Sequence, residues 1–123
     1  MQLSEQAMLE RPAAAHAARF DSAPAQDAPL KLWFDGELVD ADRLQAALNT
    51  HALHYGSGVF EGIRAYATRK GTAVFRLPEH LERMRKGAEL LGMQFDVAQA
   101  TDAVLSTLRA NRQGDAYIRP LAW

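Results

Sequence analysis

Tyr117 and Arg119 are the residues most plainly spaced to act together. Two positions apart on an extended chain, they share one face. A phenol and a guanidinium converging there suit a carboxylate ligand; the alternative is a half-exposed sheet face carrying an ordinary arginine. Arg83 is a second candidate, one helical turn from His80 and Gly87. Its paired N–H donors could grip a phosphate, with Gly87 leaving room for a ligand or a close backbone. The alternative is a surface arginine beside Glu79 and Glu82. The third candidate is the stretch from His51 to Arg64, punctuated by Gly56, Gly58 and Gly62. Glycines let a ligand approach the backbone closely. Gly56-Ser57-Gly58 does not open a helix after a strand, however, so it matches neither a dinucleotide fingerprint nor a P-loop. A structural turn and a phosphate cradle both remain open. His51 and His54 lie three apart without an evident third ligand, and read as packed, hydrogen-bonded histidines rather than a metal site.

A nucleophile is harder to find. Ser57 and Ser106 have no base at a meaningful spacing. The three lysines, Lys31, Lys70 and Lys86, read as surface positions. None sits where burial would depress its pKa enough to give a reactive amine.

The elements that must position these side chains follow from pattern. Lys31 to Phe34 and Glu37 to Val39 read as strands joined by Asp35-Gly36, a dipeptide suited to a type I′ turn. Asp40 to Asn49 is ambiguous in pattern: Leu44, Ala47 and Leu48 fall at helical spacing and the alanines favour helix. Phe60 to Ala67 and Thr72 to Leu77 form a second hairpin about Arg69-Lys70-Gly71. Pro78 opens a helix whose apolar stripe is Leu77, Leu81, Met84, Ala88 and Leu91. Asp96 caps a second, with Gln99 three residues on and a stripe of Val97, Ala100, Val104, Leu105 and Leu108. Ala116 to Trp123 is a last strand, made irregular at Pro120. Grouped strands and grouped helices predict an α+β fold, an antiparallel sheet with two helices. Residues 1–30 read as a tail and linker, with a short helix suggested around Met8 to Phe20 and interrupted by Pro12.

Composition excludes several function classes. The 123 residues suffice for one domain. Fourteen basic residues face fifteen acidic ones with no basic run, which gives no electrostatic case for nucleic acid or an anionic membrane. The absence of cysteine removes disulfides, thiolate chemistry and cysteine zinc sites, and fits a reducing compartment. No apolar run approaches the roughly 20 residues of a membrane-spanning helix. The start lacks the apolar core of a secretory signal, and Glu5, Glu10 and Asp21 argue against a transit peptide. A cytoplasmic location is the expectation.

Four segments, in order, resemble the branched-chain amino acid aminotransferases of the fold-type IV pyridoxal-phosphate enzymes. They are Trp33-Phe34-Asp35-Gly36-Glu37, His51 to Arg64, Glu79 to Met84, and Ala116-Tyr117-Ile118-Arg119-Pro120-Leu121. The second, His-Ala-Leu-His-Tyr-Gly followed by Val-Phe-Glu-Gly-Ile-Arg, and the last are the specific ones. The resemblance implies the family's small N-terminal domain over residues 31–123, with pyridoxal 5'-phosphate as cofactor. Its substrates would be a branched-chain amino acid and 2-oxoglutarate or glutamate. It implies that Arg83 binds the cofactor phosphate and that Phe60 and Gly62 line the substrate side-chain pocket. Tyr117 would help hold the α-carboxylate, and Arg119 would receive the distal carboxylate of glutamate. Tyr55 would reach a neighbouring subunit's site in a homo-oligomer, a dimer or larger.

The family's Schiff-base lysine falls downstream of the Tyr-Ile-Arg-Pro segment, so the expectation is a chain cut before that residue and inactive alone. Two other readings stand beside this one. One is a truncated, non-catalytic binding domain. The other is a D-amino-acid transaminase or aminodeoxychorismate lyase of the same fold, which Phe60-Glu61-Gly62 and Tyr117 to Pro120 disfavour.

Overall fold

The structure, a computed structural model, describes residues 28–123 and the backbone of Ala17–Ala18. Of the stretch 8–20, for which the sequence suggests a helix, only Ala17–Ala18 lie within the described residues, and they are extended.

The first hairpin joins β2 (Lys31–Phe34) to β3 (Glu37–Asp40), with Ala17–Ala18 taken as β1. Asp35 and Gly36 have φ of 46° and 100°, the doubly positive turn expected of this dipeptide. The stretch after β3 departs from expectation. A single 3-10 turn spans Ala41–Arg43, and Leu44 is already extended at φ −83°, ψ 128°. Leu44 is half-buried at the edge of β2, but Ala47 and Leu48 are exposed, Leu48 by 88 %, so the spacing buries no continuous stripe and no helix forms. The helix begins later, as α1 (His51–Tyr55), and ends at Gly56 with φ 64°.

The strand expected over Phe60 to Ala67 is two strands. β4 (Val59–Phe60) pairs with β8 (Leu121–Ala122), and β5 (Ile63–Thr68) pairs with β6 (Gly71–Val74) and β7 (Ala116–Ile118). The final segment splits likewise, at Arg119-Pro120. Proline has no N–H for a ladder, and its carbonyl accepts from the amide of Glu61 at 3.1 Å where the other strand breaks. All pairings are antiparallel, and the larger sheet runs β1-β6-β5-β7.

α2 (Leu77–Leu90) and α3 (Val97–Ala110) cover one face of that sheet. Four of the five expected stripe residues of α2 are buried, while Leu91, just past the helix end, is 47 % exposed. In α3, Val104, Leu105 and Leu108 are buried, with Val97 and Ala100 packed against them. The Asp96 carboxylate accepts from the amides of Ala98 and Gln99, capping the helix as the sequence predicts. Ile63 and Ala65 of β5 complete the core with Val74 and Leu81. Buried Asn111 fixes β2 on α3: its Oδ1 accepts from the Lys31 amide and its Nδ2 donates to the Lys31 carbonyl, both at 2.8 Å. The fold is α+β, as predicted, with a short third helix.

Candidate functional site

Alternation along 60–66 sorts the chemistry onto two faces. Glu61, Ile63 and Ala65 are buried, whereas Phe60, Gly62, Arg64 and Tyr66 point outward. Tyr117 lies opposite Arg64 across the β5–β7 ladder and shares the outward face.

Four expected residues converge there. Arg119 Nη2 donates to the Tyr117 hydroxyl at 2.6 Å. The Arg119 guanidinium also lies over the Phe60 ring at 4.5 Å and over that of Tyr117 at 5.3 Å. Gly62 makes this approach possible. A Cβ there would stand 3.1 Å from Tyr117 Cζ and closer still to the hydroxyl. Phe60 and Tyr117 are 60 % and 54 % exposed, so an apolar wall and a cation–phenol pair face solvent together. Such a surface can take a ligand with a carboxylate at one end and an apolar body at the other. An open apolar cleft of about 730 Å³ runs between β2, α3 and the C-terminal segment. It is bordered by Tyr117 and Arg119 but by neither Phe60 nor Gly62, so side-chain convergence rather than concavity marks the candidate site.

Arg83 is set differently from its surface reading. Glu79 pairs with Arg76 and Glu82 with Arg85, so the acids nearest it on α2 are engaged elsewhere. Its partner is Glu61. Arg83 Nε donates to Oε1 at 2.5 Å and Nη2 to Oε2 at 2.6 Å, while His80 Nδ1 lies 2.9 Å from Oε2. The side chain of Glu61 is only 7 % exposed and that of Arg83 70 %. The hydrogen bonds from Arg83 hold the Glu61 carboxyl down to about 2; burial opposes this and His80 assists. The same carboxylate raises the Arg83 guanidinium. Gly87, expected to leave room for a ligand or backbone, instead admits Val59, whose Cγ1 would lie 3.2 Å from an added Cβ.

Tyr55 is not part of the outward cluster. It sits on α1, 75 % exposed, with its ring centroid 4.4 Å from that of His51. His51 Nδ1 lies 2.5 Å from Ser57 Oγ, and His54 Nε2 lies 2.6 Å from the Leu48 carbonyl oxygen. Both histidines are hydrogen-bonded as expected, but they are exposed rather than packed into the core.

Glu61 is the residue that sequence reasoning passed over. Its signal was present: an acid in phase with Ile63 and Ala65 on an inward strand face must find a cation.

The α+β domain thus gathers a phenol, a guanidinium and an aromatic wall on one sheet face, with a second arginine paired to Glu61 behind it. A family model described as amino-transferase class IV matches residues 58–123, and the chain belongs to that family. Within it, the chain is 43 % identical over 94 residues to the branched-chain-amino-acid aminotransferase of Pseudomonas aeruginosa, covering 75 % of this chain and 31 % of that one. Two solved structures are similar. The branched-chain aminotransferase of Thermoproteus uzoniensis with norvaline superposes with a TM-score of 0.73 at 40 % identity, over 78 % of this chain and 33 % of that one. The branched-chain amino acid aminotransferase from Escherichia coli gives 0.72 at 38 %, over 76 % of this chain and 32 % of that one. The chain thus spans about a third of the length of these relatives. Among the described residues, no helix is long and apolar enough to cross a membrane.

Proposed function

We propose that residues 31–123 form the small N-terminal domain of a branched-chain amino acid transaminase, preceded by residues 1–30 as a tail or linker. The enzyme would move an amino group between leucine, isoleucine or valine and 2-oxoglutarate with pyridoxal 5'-phosphate. The observation that carries this reading is the convergence of Phe60, Gly62, Tyr117 and Arg119 on one face. A site for both substrates must accept an apolar branched side chain and, in the other half-reaction, a carboxylate.

The residues fit those demands. Phe60 supplies apolar wall. The Tyr117 hydroxyl accepts from Arg119 and keeps its own proton to donate to the substrate α-carboxylate. Arg119, resting on Phe60, has further N–H donors for the distal carboxylate of glutamate. The cofactor fits as well. Glu61 occupies one edge of the Arg83 guanidinium, and the remaining donors lie exposed beside Lys86 in a shallow groove that also includes Pro78 and the acids Glu79 and Glu82, which are paired with Arg76 and Arg85. Arg83 would hold the cofactor phosphate there. When bound, pyridoxal phosphate supplies the electron sink that makes amino transfer possible; the protein contributes binding, orientation and charge.

Tyr55, exposed on α1 away from the cluster, would complete the site of a second copy in a homodimer or larger assembly. On this reading none of Lys31, Lys70 and Lys86 would serve catalysis; Lys31 is paired with Asp40, and Lys70 and Lys86 are exposed. The test is amino transfer from leucine, isoleucine and valine to 2-oxoglutarate by the full-length gene product. Transfer dependent on pyridoxal phosphate is expected; its absence with all three donors would refute the reading.

A further inference from the structure

Glu61 is a charged side chain with no direct place in the site, buried between two residues that have one. Phe60 and Gly62 turn outward to the Tyr117–Arg119 face, and Glu61 turns inward to α2. Both of its oxygens are engaged. Oε1 accepts from Arg83 Nε, and Oε2 from Arg83 Nη2 and His80 Nδ1. His80 Nδ1 also lies 3.4 Å from Arg83 Nη2, so both donors meet at the same carboxylate oxygen. Arginine is a long side chain with substantial rotamer freedom. A two-point hold on the Nε–Nη2 edge fixes the plane of the guanidinium and leaves the Nη1 donors, with the second Nη2 hydrogen, facing out.

We propose that Glu61 is a positioning residue for Arg83, gripping the inner edge of its guanidinium so that the outer edge is presented, already oriented, to the phosphate of the cofactor. This rests on the reading of Arg83 as the phosphate-holding arginine. Glu61 itself touches neither cofactor nor substrate. The carboxylate and the phosphate use different edges, so the Glu61–Arg83 pair persists when phosphate binds. The arrangement links the two halves of the site through one tripeptide, with Phe60 and Gly62 on the substrate face and Glu61 on the cofactor arginine.

The test compares the affinities of pyridoxal phosphate and unphosphorylated pyridoxal in the full-length protein. Glu61→Gln keeps the shape and removes the charge. It should weaken pyridoxal phosphate binding about tenfold and leave pyridoxal within about twofold. A general structural lesion would weaken both. An unchanged ratio, or tighter binding of pyridoxal phosphate by the variant, would overturn the proposal; the latter would mean that Glu61 competes with phosphate. Arg83→Ala separates the two ideas, because an unchanged ratio in that variant removes the phosphate role of Arg83 itself. A second measurement needs no variant. The NMR signal of the Arg83 Nε–H should persist, protected from exchange, with and without pyridoxal phosphate. Its loss on binding would show that phosphate displaces Glu61.

Discussion

Glu61 and Arg83 form a two-point ion pair that is buried at one end and open at the other, with side-chain exposures of 7 % and 70 %. The hydrogen bonds from Arg83 set the behaviour of the carboxyl with pH, against the opposing effect of burial. The folded-state value of the Glu61 carboxyl, about 2, lies below its ordinary 4.5. A carboxyl depressed on folding stabilises the native state above its ordinary value and loses that contribution as pH falls through the folded one. NMR of the side-chain carboxyl carbon of Glu61 in the full-length protein should therefore titrate near 2 rather than 4.5. The stability advantage of the native protein over Glu61→Gln should be full above about 4.5 and shrink as the pH falls toward about 2. A midpoint at the ordinary value would mean that the pair does not form.

Gly62 meets Tyr117 so closely that one added carbon must displace the phenol. Gly62→Ala should lower kcat/KM about tenfold or more for every amino donor, since even a small misplacement of a positioning group is costly. Cofactor affinity should be unchanged, because Arg83 is held from the opposite face. Steady-state kinetics and cofactor titration check both halves; unaltered kinetics would show that Tyr117 is not needed where it stands.

Asp96 caps α3 through the amides of Ala98 and Gln99. Asp96→Ala should cost about 1 kcal/mol of stability. Denaturant unfolding of the full-length protein measures this, with KM for leucine expected to hold. A loss below about 0.3 kcal/mol would show that the cap is dispensable.

The polypeptide 1–123 should show no transaminase turnover, because none of its three lysines is buried beside the site. Borohydride reduction with pyridoxal phosphate, followed by peptide mapping, should find no stoichiometric modification of Lys31, Lys70 or Lys86. A single modified lysine among them would contradict the site as drawn.

Much of this architecture was legible where local chemistry and burial agree. Asp35-Gly36 needs two positive φ values, and the stripes of α2 and α3 carry a 3.6-residue period that only a packed helix uses. Tyr117 and Arg119 were paired by spacing alone, although the strand between them ends at Ile118. What pattern could not supply was tertiary context. Leu44 to Asn49 carries helical spacing, but only Leu44 is half-buried and Ala47 and Leu48 stay exposed, so the chain there stays irregular. α1 has five residues and no apolar stripe to announce it. The break between β4 and β5 is made by Pro120, sixty residues away in sequence from Phe60. Pattern gives Glu61 no role, because its partners, His80 and Arg83, lie on another element and meet it only after α2 packs on the sheet.

In the proposed transaminase one face would serve an apolar side chain and a carboxylate in turn, with Arg119 kept for the carboxylate. The decisive measurement is the steady-state kinetics of Arg119→Ala in the full-length protein, with glutamate and with leucine as amino donors. Loss of a paired, charge-assisted contact predicts a fall in kcat/KM of about a hundredfold for glutamate, and only a few-fold for leucine. Equal losses for the two donors would contradict it.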